Sequence, residues 1–418
     1  MRAYLILAMA IALCGASLPL RAADTVAITP RVIPLGQWPE GLVFQGEKLL
    51  VAESGQRTVA EINPQSGAVV KRWTVGRLPV GMALGADGAV SALIQTDKLV
   101  WRLAADGRVS SFGQLAGCPD GLAAGGPYVW VSSDPDCSSE TGQLIRIDPR
   151  NGARASTGNL KSSANALLAL PGRILIARFN SPALGIVAEA DLSTSSLEVA
   201  DARLWAMSGD AGRVFVGGNL ISAPAQGFVA SLDPGTLKER RRQPVDQRIV
   251  AIANDDKHVV AVGEHGRIWV FAADTLGYLR TINLTTGSGD FASLVIHDDS
   301  LYITDRNGKG AKGSVLALSG WRPETEAAPT PTAQPTPTAQ PANTAAVTKA
   351  CTYRVVNLDP SAVLWMRQQP DADSAKVVGV PADATGLTGG ECTQDWCYVK
   401  FGADKGWAWR QNLASTCP

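Results

Sequence analysis

A repeat of 40 to 45 residues runs through most of the chain and constrains its fold more than any other feature. Seven four-residue segments align, from Pro39-Glu40-Gly41-Leu42 to Phe291-Ala292-Ser293-Leu294, and each has a small residue at its third position. Those small residues are Gly41, Gly81, Gly121, Ala166, Ala206, Ala251 and Ser293, at successive spacings of 40, 40, 45, 40, 45 and 42 residues. Seven copies at this period predict a seven-bladed β-propeller with one four-stranded blade per copy.

The order of segments within each copy also indicates an all-β fold. The small residue is followed by a short apolar strand, a polar turn, a second apolar strand, a polar loop and two further strands. Such short runs leave no room for crossover helices, and a β-sandwich would not explain a sevenfold period. The last copy lacks a fourth strand, so we expect the N-terminal residues 31–35 to supply it and to close the ring.

The first 23 residues have the pattern of a secretory signal peptide. A short positive start precedes an apolar run over residues 4–13, and small residues for cleavage follow at Ala22 and Ala23. Cys14 leaves lipidation as an alternative, although the residue before it is larger than usual for a lipidated cysteine. No later segment has about 18 uninterrupted apolar residues. We therefore expect a periplasmic or secreted protein without a membrane span.

Composition divides the rest of the chain into two modules and a tether. Residues 24–322 carry the repeat, and residues 323–349 contain Pro-Thr-Pro-Thr-Ala-Gln twice in succession. The second segment is expected to be an extended linker, with a ligand for a proline-recognition domain as the alternative. Residues 350–418 hold short strand-like runs separated by turn residues, which predict a small β-barrel.

Two family resemblances accompany these patterns. The repeated small-residue start and the paired strands resemble the YVTN/NHL-type seven-bladed propellers of exported bacterial proteins. That fold carries lyases, lactonases, cofactor-bearing dehydrogenases and plain binders, so the resemblance implies no single activity. The tail resembles the bacterial SH3-like (SH3b) domain through the motifs Leu364-x-Met366-Arg367, Val378-Gly379 with Pro381, and Gly406-Trp407.

The SH3-like resemblance implies recognition of peptidoglycan peptides or other cell-surface ligands. The candidate groove residues are Trp365, Trp407 and Trp409. Trp396 is a fourth tryptophan in this small module, and we expect at least two of the four to build its core.

Six cysteines follow the signal peptide, and an even number in an oxidising compartment predicts disulfides. In a propeller, the loop before the first strand of a blade and the loop after its second strand emerge on one face. This geometry brings Cys118 near Cys137. The expected pairs in the tail are Cys392 with Cys397 and Cys351 with Cys417, although four cysteines allow three connectivities.

The same geometry gathers polar residues at one mouth of the channel. Their mixed charges suit a polar ligand and their carboxylates allow a divalent cation, while the alternative is a set of solvated loops. Of the three histidines, only His265 is expected at this mouth, where Glu264 and His265 are the candidates for acid–base catalysis. No catalytic residue, metal site or cofactor is assigned. The candidate ligand-binding residues are Trp38, Glu40, Glu53, Arg57, Asp120, Arg178, Asn180, Asp305 and Arg306.

The sequence contains no phosphate-binding glycine loop, serine nucleophile elbow or haem motif, which favours a binding protein over an enzyme. Lys and Arg number 38 and Asp and Glu number 38, so the formal net charge of zero argues against nucleic-acid binding by phosphate neutralisation. We expect an exported, envelope-associated binding or scaffold protein whose propeller recognises a ligand or a protein partner. The SH3-like module would anchor it to peptidoglycan or another surface ligand. The alternative is a metal-assisted propeller lyase or lactone hydrolase that the same tail targets to the cell wall.

Overall fold

Seven β-sheets follow one another along the chain, and each coincides with one sequence repeat. The computed structural model describes residues 24–138, 140–178, 181–308, 311–323, 351–358, 363–367, 370, 374, 376–393, 395–402 and 404–416. In every sheet, the strands that follow the first one are added in sequence order by antiparallel pairing. First strands of neighbouring blades contact one another all the way round the ring, so they line a central channel. The predicted seven-bladed β-propeller is thereby confirmed.

The strands of the first four blades are short and evenly spaced. Blade 1 follows two N-terminal strands, β1 (Asp24–Ile28) and β2 (Arg31–Gln37). The strands of blades 1 to 4 are β3 (Pro39–Gln45), β4 (Lys48–Glu53), β5 (Thr58–Ile62), β6 (Val69–Thr74), β7 (Pro79–Leu84), β8 (Val90–Ile94), β9 (Leu99–Leu103), β10 (Val109–Phe112), β11 (Cys118–Gly125), β12 (Tyr128–Asp134), β13 (Gln143–Ile147), β14 (Arg154–Ser156), β15 (Ala164–Leu170), β16 (Arg173–Arg178), β17 (Ala183–Ala188) and β18 (Thr194–Glu198).

Blades 5 to 7 continue the same pattern. A short 3₁₀ turn, Ser54–Gln56, interrupts blade 1 and is the only helical element in the described part of the propeller. The strands of blades 5 to 7 are β19 (Ala202–Gly209), β20 (Val214–Leu220), β21 (Gly227–Leu232), β22 (Glu239–Val245), β23 (Ile249–Asn254), β24 (His258–Gly263), β25 (Arg267–Ala272), β26 (Tyr278–Leu284), β27 (Phe291–His297), β28 (Ser300–Asp305) and β29 (Lys312–Leu318).

Both N-terminal strands close the ring, and they join two different blades. Strand β2 pairs antiparallel with β29 and supplies the fourth strand of blade 7. Strand β1 pairs parallel with β26 and makes blade 6 five-stranded, an addition that the repeat pattern does not indicate. Arg280 lies between the two ends of the propeller: its Nη2 donates to Asp24 Oδ2 at 2.7 Å and its Nη1 donates to the carbonyl oxygens of Gly320 and Arg322 at 3.1 and 2.8 Å.

The core of the propeller consists of seven apolar clusters, each between two adjacent blades. Each sheet is therefore covered on both faces, which explains why its inner strands are continuously apolar rather than alternating. Strand β4 is an example, because Leu49, Leu50, Val51 and Ala52 are all fully buried. The cluster at the ring closure joins Ile33 of β2 to Leu42 of blade 1 and Val315 of blade 7.

The C-terminal module has one seven-stranded sheet with its own core. Strand order in that sheet is β32, β31, β35, β34, β33, β30, β36 once the strands are numbered along the chain. The core contains Leu364, Met366, Val380 and Val399, while every tryptophan of the module is half-buried or exposed. The expectation that at least two tryptophans build this core is wrong, because aliphatic residues fill the small interior. The elements are β30 (Cys351–Val355), β31 (Val363–Arg367), β32 (Lys376–Pro381), β33 (Leu387–Cys392), β34 (Trp396–Phe401), β35 (Asp404–Trp409), a 3₁₀ turn (Arg410–Asn412) and β36 (Leu413–Thr416).

Two of the expected disulfides are present. Cys118 is bonded to Cys137, and Cys392 is bonded to Cys397 across the β33–β34 hairpin. The proposed partner of Cys351, Cys417, lies outside the described residues, as do the signal peptide and the linker. In the described part of the chain, no helix has the length and apolar character to cross a membrane.

Closure of the ring by β2 predicts that two adjacent residues of this strand contribute very differently to the free energy of unfolding. Ile33 is 1% exposed in the cluster between blades 7 and 1, whereas Val32 is 47% exposed on the other face of the strand. We expect Ile33→Ala to lower the free energy of unfolding by about 2 to 5 kcal/mol, and Val32→Ala to change it by about 0.5 kcal/mol or less. Urea unfolding followed by tryptophan fluorescence measures both values. Equal effects of the two substitutions would show that β2 does not seal the ring.

Candidate functional site

A β-bulge at the start of every first strand forms one layer of the channel mouth. The strand pairing skips one or two residues at the same point in β3, β7, β11, β15, β19, β23 and β27. The first skipped residue of each blade is half-buried. Bulges are used in proteins to redirect a side chain without breaking a sheet. The layer is formed by Glu40, Val80, Asp120, Asn165, Trp205, Val250 and Ala292.

Close packing at this bulge explains why the third position of the sequence repeat is a small residue. A Cβ on Gly41 would stand 2.4 Å from the backbone oxygen of Val80, in the first strand of the next blade. A Cβ on Gly121 would stand 2.5 Å from Ser132 Oγ. The inner strands thus approach too closely for a larger residue, and the third position of the repeat marks the bulge.

Glu40 belongs to a three-residue charge cluster that joins blades 1 and 7. Arg306 donates from Nη1 to Glu40 Oε1 at 3.2 Å and from Nε to Asp290 Oδ1 at 3.0 Å. Burial raises the pKa of the Glu40 carboxyl, and the Arg306 guanidinium only partly opposes that rise. Two carboxylates share one guanidinium here, so this side of the mouth is negatively charged.

Asp120 is a half-buried carboxyl without a cationic partner among the described residues. Ser132 Oγ donates to Asp120 Oδ1, and the backbone N–H of Ala164 in the next blade also donates to this carboxyl. Burial raises the pKa of Asp120 against these hydrogen bonds, and the nearby Asp134 carboxylate raises it further. Blade 3 therefore presents a second acidic group at the mouth. Ionisation of this group lowers the stability of the fold, because no cation compensates for the loss of water around the charge.

The opposite side of the mouth holds an aromatic ring in contact with an arginine that is paired with a carboxylate. The guanidinium of Arg248 lies over the ring of Trp205, 4.8 Å from the ring centroid, and its Nη2 is 2.7 Å from Glu264 Oε2. Trp205 Nε1 donates to Asn219 Oδ1 at 2.7 Å, which fixes the indole plane. Stacking of a guanidinium on an indole is a favourable cation–π contact.

Glu264 and His265 are poorly arranged for acid–base catalysis. Glu264 is engaged by Arg248, and His265 Nε2 lies 3.8 Å from Glu264 Oε1, beyond hydrogen-bond distance. The His265 side chain is 75% exposed, so no closed pocket surrounds it. The pair is better described as the outer edge of the Trp205–Arg248 contact.

Two of the acidic candidates hold the scaffold rather than face a ligand. Glu53 is fully buried and accepts hydrogen bonds from the Gly36 backbone, Thr58 Oγ1 and the Arg72 guanidinium at 2.7 to 3.1 Å. Burial would raise the pKa of Glu53, but these donors outweigh it and lower the pKa. Asp305 is 3% exposed, and its carboxylate accepts from the backbone N–H groups of Ser288 and Asn307 at 2.8 and 3.2 Å.

The remaining candidates are spread around the rim. Trp38 and Arg57 adopt left-handed backbone conformations, with φ of 59° and 61°, in the segments that flank β3 and β5. Arg178 at the end of β16 is half-buried, and burial lowers the pKa of its guanidinium. Its Nε is shielded from solvent and has no hydrogen-bond partner among the described residues. Asn180 lies outside the described residues.

Sequence reasoning missed part of this mouth. Trp205, Arg248, Asn165 and Asp290 are absent from the sequence-based candidates but belong to the mouth or its charge cluster. Two of them could have been identified from the sequence. The bulge residue is always the second residue of the aligned four-residue segments, and Trp205 and Asn165 occupy that position.

The C-terminal module presents a second candidate surface, made of paired aromatic rings. Trp396 and Trp409 are stacked with ring centroids 5.8 Å apart, and Tyr398 and Trp407 lie beside them at 5.4 Å. In the pairing of β34 with β35, Trp396 lies opposite Trp409 and Tyr398 lies opposite Trp407, so all four rings share one face of the sheet. Trp409 is 45% exposed, which makes this the most exposed large aromatic surface in the described residues.

Trp365 lies apart from that ladder, next to the propeller. It lines a cleft of about 850 Å³ between the module and blade 5, together with Phe228 and Arg242 of the propeller. The three groove candidates therefore divide between two places: Trp407 and Trp409 belong to the aromatic ladder, and Trp365 belongs to the cleft.

Comparisons with solved structures agree with the fold. The WD40 repeats of RRP9 match with a TM-score of 0.58 at 13% identity, over 70% of this chain and 99% of theirs. A streptogramin B lyase matches with a TM-score of 0.55 at 11% identity, over 68% of this chain and 96% of that one. A catalytically inactive virginiamycin B lyase from Staphylococcus aureus, solved with quinupristin, matches with a TM-score of 0.56 at 12% identity, over 70% and 99%. At these identities the likeness is one of fold alone. No protein-family model and no curated protein matches the chain.

The raised pKa of Asp120 predicts a pH-dependent stability difference. The folded-state pKa of this carboxyl lies above its ordinary value of 3.8, so its ionisation costs folding stability as the pH rises through the folded value. Asp120→Asn cannot ionise and avoids that cost. We expect the variant to match the wild type near pH 3.5 and to become more stable than the wild type as the pH rises towards 8, a change measured by urea unfolding at each pH.

Asp97 provides a control of opposite sign. It is half-buried, and hydrogen bonds from the backbone and side chain of Arg77 lower its pKa, so its stabilising effect is present above its ordinary pKa and is lost as the pH falls. Asp97→Asn is therefore expected to be less stable than the wild type at neutral pH. A stability difference for Asp120→Asn that does not change with pH would contradict the assignment of a raised pKa.

Proposed function

We propose that this chain is an exported, envelope-associated binding protein. The bulge-layer mouth of the propeller is its recognition platform, and the SH3-like C-terminal module anchors it to the cell wall or another surface ligand. The propeller fold itself fits a platform for protein recognition, since WD40 repeats are among its structural neighbours.

The asymmetry of the bulge layer carries the proposal. Acidic groups, Glu40 and Asp120, occupy blades 1 and 3, while Trp205 with Arg248 occupies blade 5. A layer that served packing alone would have no reason to hold two carboxyls whose pKa values burial raises. Residues whose pKa is shifted by burial at a concave surface are candidates for binding sites. A ligand with a cationic group and an apolar or aromatic group, such as a basic side chain beside an apolar one, matches this arrangement.

Export is supported by sequence and structure together. The N-terminal residues have the signal-peptide pattern, and two disulfides occur in the propeller and the tail. Disulfides persist mainly in oxidising compartments. The exposed aromatic ladder of the tail module suits a surface anchor, because stacked tryptophans offer a large rigid contact area at little entropic cost.

The anchor is tested with the full-length protein and purified peptidoglycan sacculi. We expect the wild type to co-sediment and Trp407→Ala/Trp409→Ala to lose at least about tenfold in affinity, equivalent to about 1.4 kcal/mol. Arg354→Ala, an exposed change on β30, two strands away from the ladder, is the control and should bind like the wild type. Thermal unfolding of each variant checks that the module stays folded. Equal retention of the tryptophan variant, or no retention of the wild type, would contradict a role of the ladder in anchoring.

The platform is tested by quantitative capture from envelope extract of the producing cells. Full-length wild type, Glu40→Gln/Asp120→Asn and a control with two changes in turns at the other end of the channel, Asp106→Asn/Asp256→Asn, are compared by mass spectrometry. We expect one or a few envelope partners to be depleted at least about fivefold with the mouth variant and retained with the control. Identical partner sets for all three proteins would contradict the proposal.

A metal-assisted lyase is the second candidate, favoured by the lyases among the fold neighbours. The engagement of Glu264 by Arg248 and the exposure of His265 weigh against it. Turnover of quinupristin by the wild type, with loss of turnover in Glu264→Gln/His265→Ala, would replace the binding proposal with this one.

A further inference from the structure

Three side chains with metal-ligating atoms meet where the first and last blades join. Glu47 lies in the turn between β3 and β4, and His297 and Asp298 lie at the turn between β27 and β28. Both turns are at the far end of the channel from the bulge layer. His297 Nε2 is 3.8 Å from Glu47 Oε2 and 3.6 Å from Asp298 Oδ2, and the three ligand atoms all lie within 4.8 Å of one another. His297 and Asp298 are about 250 positions away from Glu47 in the sequence, and the closure of the ring brings them together.

The imidazole of His297 is held in place by stacking. Its ring lies parallel to the Phe44 ring, with centroids 3.6 Å apart and an interplanar angle of 7°. Phe44 is itself buried and packs edge-on against Tyr302, with centroids 5.0 Å apart. The imidazole is thereby fixed by the core cluster of the ring closure, and its Nε2 is directed at the two carboxylates from a rigid base.

The Nε2 atom of His297 lacks a hydrogen-bond partner and is shielded from solvent. Both carboxylates lie beyond hydrogen-bond distance of it, so no described residue supplies a hydrogen-bond partner for this atom. A buried polar atom without a partner is costly, and native structures rarely leave one without a reason. A metal ion between the three side chains would use the nitrogen lone pair and the charge of both carboxylates.

No lysine or arginine neutralises the two carboxylates among the described residues. Lys48, next to Glu47 in sequence, is paired with Glu61 at 3.5 Å. The Arg322 guanidinium is paired with the carboxylates of Asp299 and Asp255 at 3.1 and 2.6 Å, and it contacts Asp298 through the backbone oxygen, at 2.8 Å, and not through the carboxylate. The side chains of Glu47 and Asp298 are 79% and 80% exposed, so they are free to move by a few tenths of an ångström.

We infer that Glu47, His297 and Asp298 bind a divalent transition-metal ion, and that Zn²⁺ is the best match. Zinc takes imidazole nitrogen at about 2.0 to 2.1 Å and carboxylate oxygen at about 2.0 to 2.2 Å, which places tetrahedral ligands about 3.4 Å apart. The separations of 3.6 and 3.8 Å need only a small contraction to reach that value. An imidazole in the set selects zinc-like ions over Mg²⁺ and Ca²⁺, which prefer oxygen ligands alone. Water would complete the coordination, and the bound ion would clasp blade 1 to blade 7. This site is independent of the proposed binding function.

The test uses full-length protein freed of metal with a chelator and then of the chelator. ZnCl₂ is titrated by isothermal calorimetry, and thermal unfolding is recorded with and without a hundredfold excess of Zn²⁺ over its Kd. We expect one site per chain in the wild type and a rise of about 5 °C in the unfolding midpoint. Glu47→Gln/Asp298→Asn keeps the shape of both side chains and is expected to weaken binding at least about tenfold and to remove the shift.

Two further variants separate metal binding from structure. His297→Phe keeps a ring to stack on Phe44 but removes the nitrogen ligand, and should lose Zn²⁺ binding while the metal-free protein stays folded. Asp106→Asn/Asp256→Asn removes two exposed acids from turns at the same end of the channel and should bind Zn²⁺ like the wild type. Absence of Zn²⁺ binding in the wild type, or undiminished binding in both Glu47→Gln/Asp298→Asn and His297→Phe, would overturn the assignment.

Discussion

The closure of the ring is the constraint on which the rest of the structure depends. Each blade covers its neighbours on both sides, so a ring left open at any point would expose two apolar sheet faces to water. The chain prevents this with β2, which completes blade 7, and with β1, which is added to blade 6. Arg280 then binds Asp24 at one end and the carbonyls of Gly320 and Arg322 at the other. One buried guanidinium thus joins both ends of the propeller.

Closure also determines where functional groups can lie. The inner strands approach so closely at the mouth that Gly41 has no room for a side chain beside Val80. The bulge next to it leaves one or two residues of each first strand out of the strand pairing, and the first of these varies in chemistry from Glu40 and Asp120 to Trp205. Structural uniformity at the third position of the repeat and chemical variety at the second are therefore two consequences of the same local geometry.

The sequence predicts the architecture much better than the site, for reasons visible in single residues. The period identifies all seven blades because every blade has a small residue, Gly, Ala or Ser, at the same point. The parallel pairing of β1 has no periodic signal, since five residues with mixed burial fit many partners. Glu53 and Glu40 both look like polar residues near the ends of inner strands. Only the three-dimensional structure shows that donors surround Glu53, whereas Glu40 shares one arginine with Asp290.

The contrast between Glu53 and Asp120 indicates how this scaffold separates structure from recognition. Burial acts on both carboxyls and by itself raises the pKa of each. Around Glu53 the donors of Arg72, Gly36 and Thr58 reverse that effect, so its charge contributes to stability. Around Asp120 the protein provides a hydroxyl and a backbone N–H but no cation, and the pKa stays raised. Stability alone would favour a neutral residue there, because an amide of the same shape would keep a hydrogen bond without the cost of a buried charge. The proposed function accounts for a carboxyl in that position through a partner that supplies the missing positive charge from outside.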